Sequence, residues 1–542
     1  MAWEKWLAKN WLLFVIIGIA VNSLGLLSPI IEPDGALYAT LAKNMVLSNN
    51  YQNMTLQGND WLDKPHFQFW VTAFCFKIFG INTIGYKLPA FLFWLLGAFY
   101  TYRFAQLFYS KTIAQLSVLI YLTAFHLVLS NNDVRAEPYL TGLIIAAIYH
   151  CYRGVTSQQF LQIVWCSLFT AAAIMTKGIF ALIIIFSGPI LHWLFSKQLN
   201  WSFIKSLSFI FFLTLVFITP EILSLYFQFD VHPEKIVFGH THTSGIKFFF
   251  WDSQFGRFFN TGPIRGEGDP FFFLHTSLWA FFPWSILFFV SVFQKIKNIK
   301  TDNTERITLF GTIITFLLFS LSKFQLPHYL NIVFPLMCIL TAQFILSIKK
   351  EKWTVGFLAL STVLCFIIVL FLAYFSLPQL IWQTCVVLII ILFLFLKFSN
   401  ENSLVRWTSF AYCSSLMMYA FINLFLVPTL MQYESGLSAA NFLNTKNISS
   451  VVMLRKEDES YSLDFYFHGE IVRKNIEELN PSKPQPLIYC NEVYFDSLTT
   501  HGFHPQVIQS FPYYKVSQPP ITFLNAATRD KFPQHYLLVK TQ

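Results

Sequence analysis

The chain has 542 residues, of which 55% are hydrophobic, 19% aromatic and 12% charged, against roughly 25% charged in an average soluble domain. With 63 phenylalanines among them, this composition excludes a soluble globule, a disordered tail and a fibrous repeat, and leaves a polytopic membrane protein. The formal charge of +9 would point to nucleic acid in a soluble chain; in a membrane protein it raises the question of which loops carry it, and no nucleic-acid partner is expected.

Apolar runs long enough to cross a bilayer predict helices, because lipid offers no partner to an open backbone. About thirteen are predicted, at 11–29, 86–108, 113–130, 138–152, 160–176, 178–195, 203–226, 271–293, 307–322, 327–347, 353–376, 378–396 and 405–427. The first follows a basic stub, Lys5 and Lys9, and has no small-residue cleavage site, so it reads as a retained anchor. The stretch 67–80, FQFWVTAFCFKIFG, is too short to span and reads as an interfacial amphipathic helix. After Val427 charges, Pro and Asn return. Strand-like runs at 449–454, 486–490, 507–511 and 536–540 alternate with polar stretches such as RKEDES, predicting a small α/β domain over 429–542. Seven of the eight cysteines lie in or beside apolar segments and only Cys490 in the tail, with no disulfide or zinc spacing.

Alternate connections sort the basic residues. Lys111, Arg153, Lys197, Lys205, Lys295, Lys297, Lys300, Arg306, Lys349, Lys350, Lys352, Lys397 and Arg406 fall in one set of short loops, which the positive-inside rule makes cytoplasmic. The N-terminus is then inside. The long loops 30–85 and 227–270 and the tail lie outside.

The charges on that outer side have no topological reason to be there. They are Glu32, Asp34, Asp63, Lys64, Asp133, Arg135, Glu137, Lys177, Arg257, Arg265 and Lys323, all near the outer helix ends. Singly, a Lys or Arg can anchor a helix by snorkelling and an acid can cap one. Together they describe a site for an anion with a proton acceptor beside it, since a charge at bilayer depth costs about 2.5–3.5 kcal/mol. The anion native to that depth is a lipid phosphate. If it carries a sugar, the fixed cations stabilise charge growing on the leaving phosphate, and one carboxylate takes the proton of an acceptor hydroxyl or amine. One base without a carboxylate nucleophile predicts inversion. Cations alone can serve a monophosphate leaving group, so no cofactor is required, although a divalent metal is compatible.

Five segments here carry a resemblance. IIEPDGALYATLAKNM resembles the first outer-loop acidic motif of the GT-C membrane glycosyltransferases, in the branch that includes bacterial aminoarabinose (lipid A) transferase and the protein O-mannosyltransferases. WLDKPHFQFW is similar to that branch's Lys-Pro-Pro signature, and AAIMTKGIFALII to its Thr-Lys-Gly turn. PFFFLHTSLWAFFPWS is similar to its Phe-Pro-Trp helix, and FSLSKFQLPHYLNIVFPLM to its Ser-Lys-x-x-Leu-Pro-x-Tyr segment. The five are collinear over about residues 1–350. The resemblance implies a GT-C transmembrane catalytic domain over 1–428, an inverting sugar transfer from polyprenyl (undecaprenyl) monophosphate to a lipid, glycan or protein acceptor, and a place in the bacterial inner membrane. It implies Asp34 as base or orienting carboxylate, Glu137 as second acid, Lys64 on the donor phosphate, and Lys177 and Lys323 lining the site. The chain departs from the pattern at Gly35, Leu37, His66 and Glu137.

Beside these, Arg135, Arg257 and Arg265 are expected on the phosphate, and Glu32, Asp63, Asp133, His66, His328 and Tyr329 near sugar or acceptor. Tyr38 and Trp61 either stack on a sugar or belong to an interfacial belt. His232, His240, His242 and Asp252 offer a metal set, although histidines two apart in a loop are more often incidental. Two other classes stay open. A transporter or lipid flippase would show related halves and midplane polar residues, and a structural envelope subunit would carry a dead site.

Overall fold

The structure, a computed structural model, describes residues 2–541 apart from 263, 301–303, 349–350, 398–400, 455–459 and 482–485. Lys300 and Lys352 are described, whereas Lys349, Lys350 and most of the RKEDES stretch lie outside the described residues. Each of the thirteen predicted spans falls on helix. Among the described residues six helices are long and apolar enough to cross a membrane, from Ala2–Leu26 to Ser403–Met431.

Burial separates a centre from a rim. Of the apolar window in Pro327–Ser347, 83% is buried, against 28% in Trp201–Asp230 and in Glu351–Ser376, so the latter two turn large apolar faces outward. Helix Glu137–Ser157 is the axis. Almost all its side chains are buried, and it packs on Thr83–Phe108 through small residues. Gly142 lies so close to the Phe93 carbonyl that a Cβ there would collide with it.

Side-chain amides fix the turn ahead of that axis. Asn131 Nδ2 donates to Asn22 Oδ1 (2.9 Å), Asn132 Nδ2 to Asn423 Oδ1 (2.7 Å), and the Ser28 hydroxyl to Asn132 Oδ1 (3.1 Å). Tyr86 adds a bond from its hydroxyl to the Val134 carbonyl (2.8 Å). The SNNDVRAEP turn is thereby tied to three separate helices. Lys87, read from the sequence as part of an apolar span, is fully buried. Its ammonium donates to the carbonyls of Gly25 (3.0 Å), Ser28 (2.8 Å) and Pro29 (3.2 Å) and to the Ser28 hydroxyl (3.0 Å), closing the end of the first helix onto the bundle.

The expected amphipathic helix over 67–80 is present, and the second long loop is more ordered than expected. Phe67–Phe79 is a helix, with Phe69, Ala73 and Phe76 buried and Phe74, Ile78 and Phe79 exposed, an amphipathic pattern that leaves one face free. The loop 227–270 contains a continuous helical stretch, Gly245–Lys247, Phe248–Gly256 and Arg257–Phe259. Its Phe248 and Phe249 are core and its Trp251 is exposed.

A hairpin joins β1 (Thr55–Leu56) and β2 (Asn59–Asp60). The C-terminal region folds around a five-stranded sheet of β3 (Ser450–Leu454), β4 (Glu470–Lys474), β5 (Leu487–Asn491), β6 (Pro505–Tyr513) and β7 (Gln534–Thr541), in the order β4-β3-β5-β7-β6. Strand β3 runs parallel to β4 and β5, while β7 is antiparallel to β5 and β6. None of the eight cysteines is in a disulfide. The sheet region docks on the bundle at two places: the Tyr461–Tyr466 helix meets Asp34–Ser48, and Arg529 reaches the Ser376 carbonyl (3.1 Å).

Candidate active site

Helix ends bring these charges together. Asp34 opens Asp34–Ser48 and Glu137 opens Glu137–Ser157, where partial positive charge of the helix favours an acid; Lys177 closes Phe160–Lys177, where it favours a cation. Tyr38 sits one turn after Asp34. Asp63 and Lys64 lie just before Phe67–Phe79, and Arg257 comes from the helical stretch Gly245–Phe259. Asp34, Tyr38, Asp63, Lys64, Arg135, Glu137, Lys177, Arg257, His328 and Tyr329 all line one chamber.

Within it each carboxylate is held by a cation. Arg135 forks between Asp34 Oδ2 (2.6 Å) and Asp133 Oδ2 (2.9 Å). Asp63 is shared by Lys64 (2.6 Å) and Arg257. Glu137, almost wholly buried, pairs with Lys177 and has His328 Nε2 at 3.8 Å. The Lys177 ammonium also lies 3.7 Å from the centre of the Tyr329 ring. Burial lowers the Lys64 ammonium below the usual lysine range, an effect Asp63 opposes. Burial pushes the Asp63 carboxyl up, but Lys64 and Arg257 outweigh it and hold it below the usual carboxylate range. Two polar atoms stay buried without partners, Glu137 Oε2 and Arg257 Nε.

A second cavity adjoins the first and shares Asp63, Lys64, Lys177, Arg257, Phe324 and Tyr329 with it. Its other walls are largely apolar: Leu140, Ile144, Phe180, Ala181, Ile184, Leu318, Phe319 and Ile332. Charge at one end and a greasy trough at the other make a receptacle for an amphiphile with an anionic head.

Gln254, which sequence reasoning missed, helps to aim Lys177. Its side-chain amide donates to the Lys177 carbonyl (2.9 Å) and packs against Gly178, whose φ of 105° turns the chain sharply after the lysine. Only the Thr-Lys-Gly turn signalled that such a partner was needed.

Several expected members are elsewhere. Lys323 is exposed and lines neither cavity, although its neighbours Ser322 and Phe324 do. Arg265 is exposed too, while the adjacent Ile264 faces the chamber. His66 is completely buried, with its Nδ1 3.0 Å from Glu221 Oε1 and its Nε2 3.0 Å from the Gln52 carbonyl, so it braces the fold. Asp133 orients Arg135 and does not line the chamber. Trp61 packs edge-on against Tyr38 and Phe69 behind the wall. Glu32 turns away altogether, to Ser460 and Ser462. His232 pairs with Glu234 and His242 with Thr241; among the described residues no three His, Cys, Asp or Glu side chains gather as a metal site.

Residues 63–223 match the family described as dolichyl-phosphate-mannose-protein mannosyltransferase, a stretch that carries Asp63, Lys64, Arg135, Glu137 and Lys177. The whole chain superposes on ArnT from Cupriavidus metallidurans, solved bound to undecaprenyl phosphate, with a TM-score of 0.76 at 16% identity over 98% of each chain. The chain has the GT-C glycosyltransferase fold. The Archaeoglobus fulgidus oligosaccharyltransferase shares that fold at greater distance, with a TM-score of 0.52 and 11% identity over 87% of this chain and 64% of that one. In sequence, an uncharacterized protein of Aquifex aeolicus is 29% identical over 344 residues, 60% of this chain and 64% of the relative. The undecaprenyl phosphate-alpha-4-amino-4-deoxy-L-arabinose arabinosyl transferase of Shewanella sediminis is 25% identical over 403 residues, 72% of this chain and 67% of the relative. The chain thus matches about two thirds of the length of these two relatives.

Proposed function

We propose that this GT-C chain is an inverting glycosyltransferase, taking a sugar from a polyprenyl (undecaprenyl) monophosphate and passing it to a lipid, glycan or protein acceptor. The observation that carries this reading is the join between chamber and trough. Lys64, Lys177 and Arg257 stand where the two cavities meet, so a phosphate gripped there has its polyprenyl tail along the apolar walls and its sugar in the charged chamber. The names of the family and of the relatives, which speak of dolichyl and undecaprenyl phosphates, support the same donor class.

Asp34 is the base. Arg135 holds its Oδ2, leaving Oδ1 to take the proton as the acceptor oxygen or nitrogen attacks the anomeric carbon. The bond from that carbon to the phosphate oxygen breaks, and its electron pair goes to the phosphate. Lys64, Arg257 and Lys177 are already aimed at that oxygen's surroundings, so the growing charge meets fixed cations rather than reorganising solvent. Asp63 and Glu137 keep those cations oriented while no donor is bound. The Arg257 Nε without a partner is a free donor for a phosphate oxygen. With three cations on a monophosphate the reaction runs without a resident metal, and turnover in EDTA equals turnover without it.

The acting face is extracytoplasmic. Basic loops at the opposite helix ends support a cytoplasmic N-terminus, thirteen crossings, and a periplasmic domain over 429–542 in an inner membrane. The test is reconstitution with a labelled polyprenyl-phosphate sugar, following release of lipid phosphate and the anomeric configuration of the product. Release with inversion is expected. Retention, or no release with any acceptor class, overturns the reading.

A further inference from the structure

The C-terminal domain takes no part in the chamber, yet it grips the segment that carries Asp34 at several points. Upstream, the Ile30 N–H donates to the Tyr466 hydroxyl (2.9 Å), which also pairs with Thr83 Oγ1 (2.9 Å). Downstream, the Lys43 ammonium donates to the carbonyls of Asp464 (2.7 Å), Phe465 (2.9 Å) and Phe467 (2.9 Å). Between them Glu32, two residues before Asp34, accepts from the Ser460 hydroxyl (3.0 Å) and the Ser462 N–H.

A second acid completes this middle contact. Glu434, in the short link between the last bundle helix and the Ser435–Thr445 helix, is 1% exposed and its carboxyl lies against that of Glu32; among the described residues its Oε1 has no partner. Two carboxyl groups can bond to each other only if one carries a proton. Among the described residues the titratable groups facing the pair are the hydroxyls of Tyr466, Tyr489 and Tyr513, each neutral near pH 7. Among the described residues no lysine, arginine or histidine pairs with either acid.

We propose that Glu32 and Glu434 are a proton-sharing latch through which the C-terminal domain positions the Asp34 segment, making that domain a pH-sensitive support for the active site. Neither acid touches the chamber, so both are positioning residues. The role assigned to Asp34 rests on the glycosyl-transfer reading; the latch itself does not. Burial raises both carboxyls above the ordinary range, and for Glu434 the neighbouring Glu32 raises it further. A group raised on folding contributes stability that is complete below its unfolded value and disappears as pH climbs through its folded one. Opening of the latch is therefore alkaline: the second carboxylate ionises, repels the first, and frees the Asp34 segment.

The test is hydrogen exchange on the full-length protein in detergent, reading amide protection in 30–48 and 460–467 against pH. Protection in the unaltered protein falls by up to about tenfold per pH unit once the pair gives up its proton. Glu434→Gln removes the second ionisation and keeps a donor for Glu32, so its protection stays flat with pH; Glu434→Met, which removes the same ionisation, is the second variant should the first fail to fold. In the donor-turnover assay the alkaline limb of Glu434→Gln moves to higher pH through kcat, with the donor KM unchanged. Protection that is equally pH-dependent in the variants, or flat in the unaltered protein, overturns the latch. Flattened protection with an unmoved turnover profile overturns its positioning role. Exchange is read without donor, so a chain that turned over no donor would fail the glycosyl-transfer reading and leave exchange to decide the latch.

Discussion

Lys177→Met tests the buried charge balance of the chamber. Glu137 is 2% exposed; its Oε1 has Lys177 as its partner and His328 at 3.8 Å, and its Oε2 is buried without one. Removing the ammonium strands a carboxylate in the first turn of the axial helix. Breaking a buried pair from one side costs about 3–5 kcal/mol. The Lys177 side chain keeps 29% of its exposure, so water shares part of its work and the lower end applies, about 3 kcal/mol or roughly a hundredfold in the folded-to-unfolded ratio. Glu137→Gln costs less, because an amide needs no counter-charge and Lys177 still rests on Tyr329. The double variant regains at least about 1.5 kcal/mol relative to Lys177→Met, since the stranded charge is gone. Denaturant unfolding in a fixed detergent measures all three. A loss below about 1 kcal/mol for Lys177→Met would match an exposed surface pair, and strict additivity in the double variant would show no coupling; either result refutes the reasoning.

Three further outcomes follow from the geometry. Lys87→Met takes the ammonium from three carbonyls and a hydroxyl, of which the Gly25 carbonyl keeps the Ser28 hydroxyl, and lowers stability by at least about 2 kcal/mol in the same unfolding assay. Gly178→Ala puts a Cβ into the Gln254 side chain at a backbone angle that disfavours alanine, which re-aims Lys177; donor turnover falls at least about tenfold, and rescue by Gln254→Ala in the same chain is partial. Lys323→Ala and Arg265→Ala, both exposed and outside the cavities, leave donor turnover within about twofold, whereas Lys64→Ala lowers it at least a hundredfold.

The helices were legible because lipid enforces them: an apolar run of sufficient length has few other structures open to it. The strands at 450–454, 487–491, 505–513 and 534–541 coincide closely with the β-rich runs, while β4 at 470–474 escaped because EIVRK has only two apolar residues and no clear alternation. For the site, the charges near helix ends were legible in the sequence, and Asp34, Asp63, Lys64, Arg135, Glu137, Lys177 and Arg257 do converge. It could not tell which way a side chain turns. Lys323 and Arg265 miss the chamber although Phe324 and Ile264 beside them reach it. A partner far along the chain decides other cases. Glu221, 155 residues away, claims His66, and Ser462, 430 residues away, claims Glu32. Lys87 was hidden by its apolar surroundings, and its only signal was that a lysine within a span needs acceptors.

The central claim is that one carboxylate, fixed by Arg135 beside a phosphate held by Lys64, Lys177 and Arg257, carries the transfer of a lipid-linked sugar. Release of polyprenyl phosphate from a labelled donor by reconstituted Asp34→Asn tests it most directly, because the amide keeps the shape of the side chain and loses only the base. A fall of about 10²–10⁴-fold in kcat with the protein folded and still binding donor is the predicted result. Turnover by Asp34→Asn at the rate of the unaltered protein would contradict it.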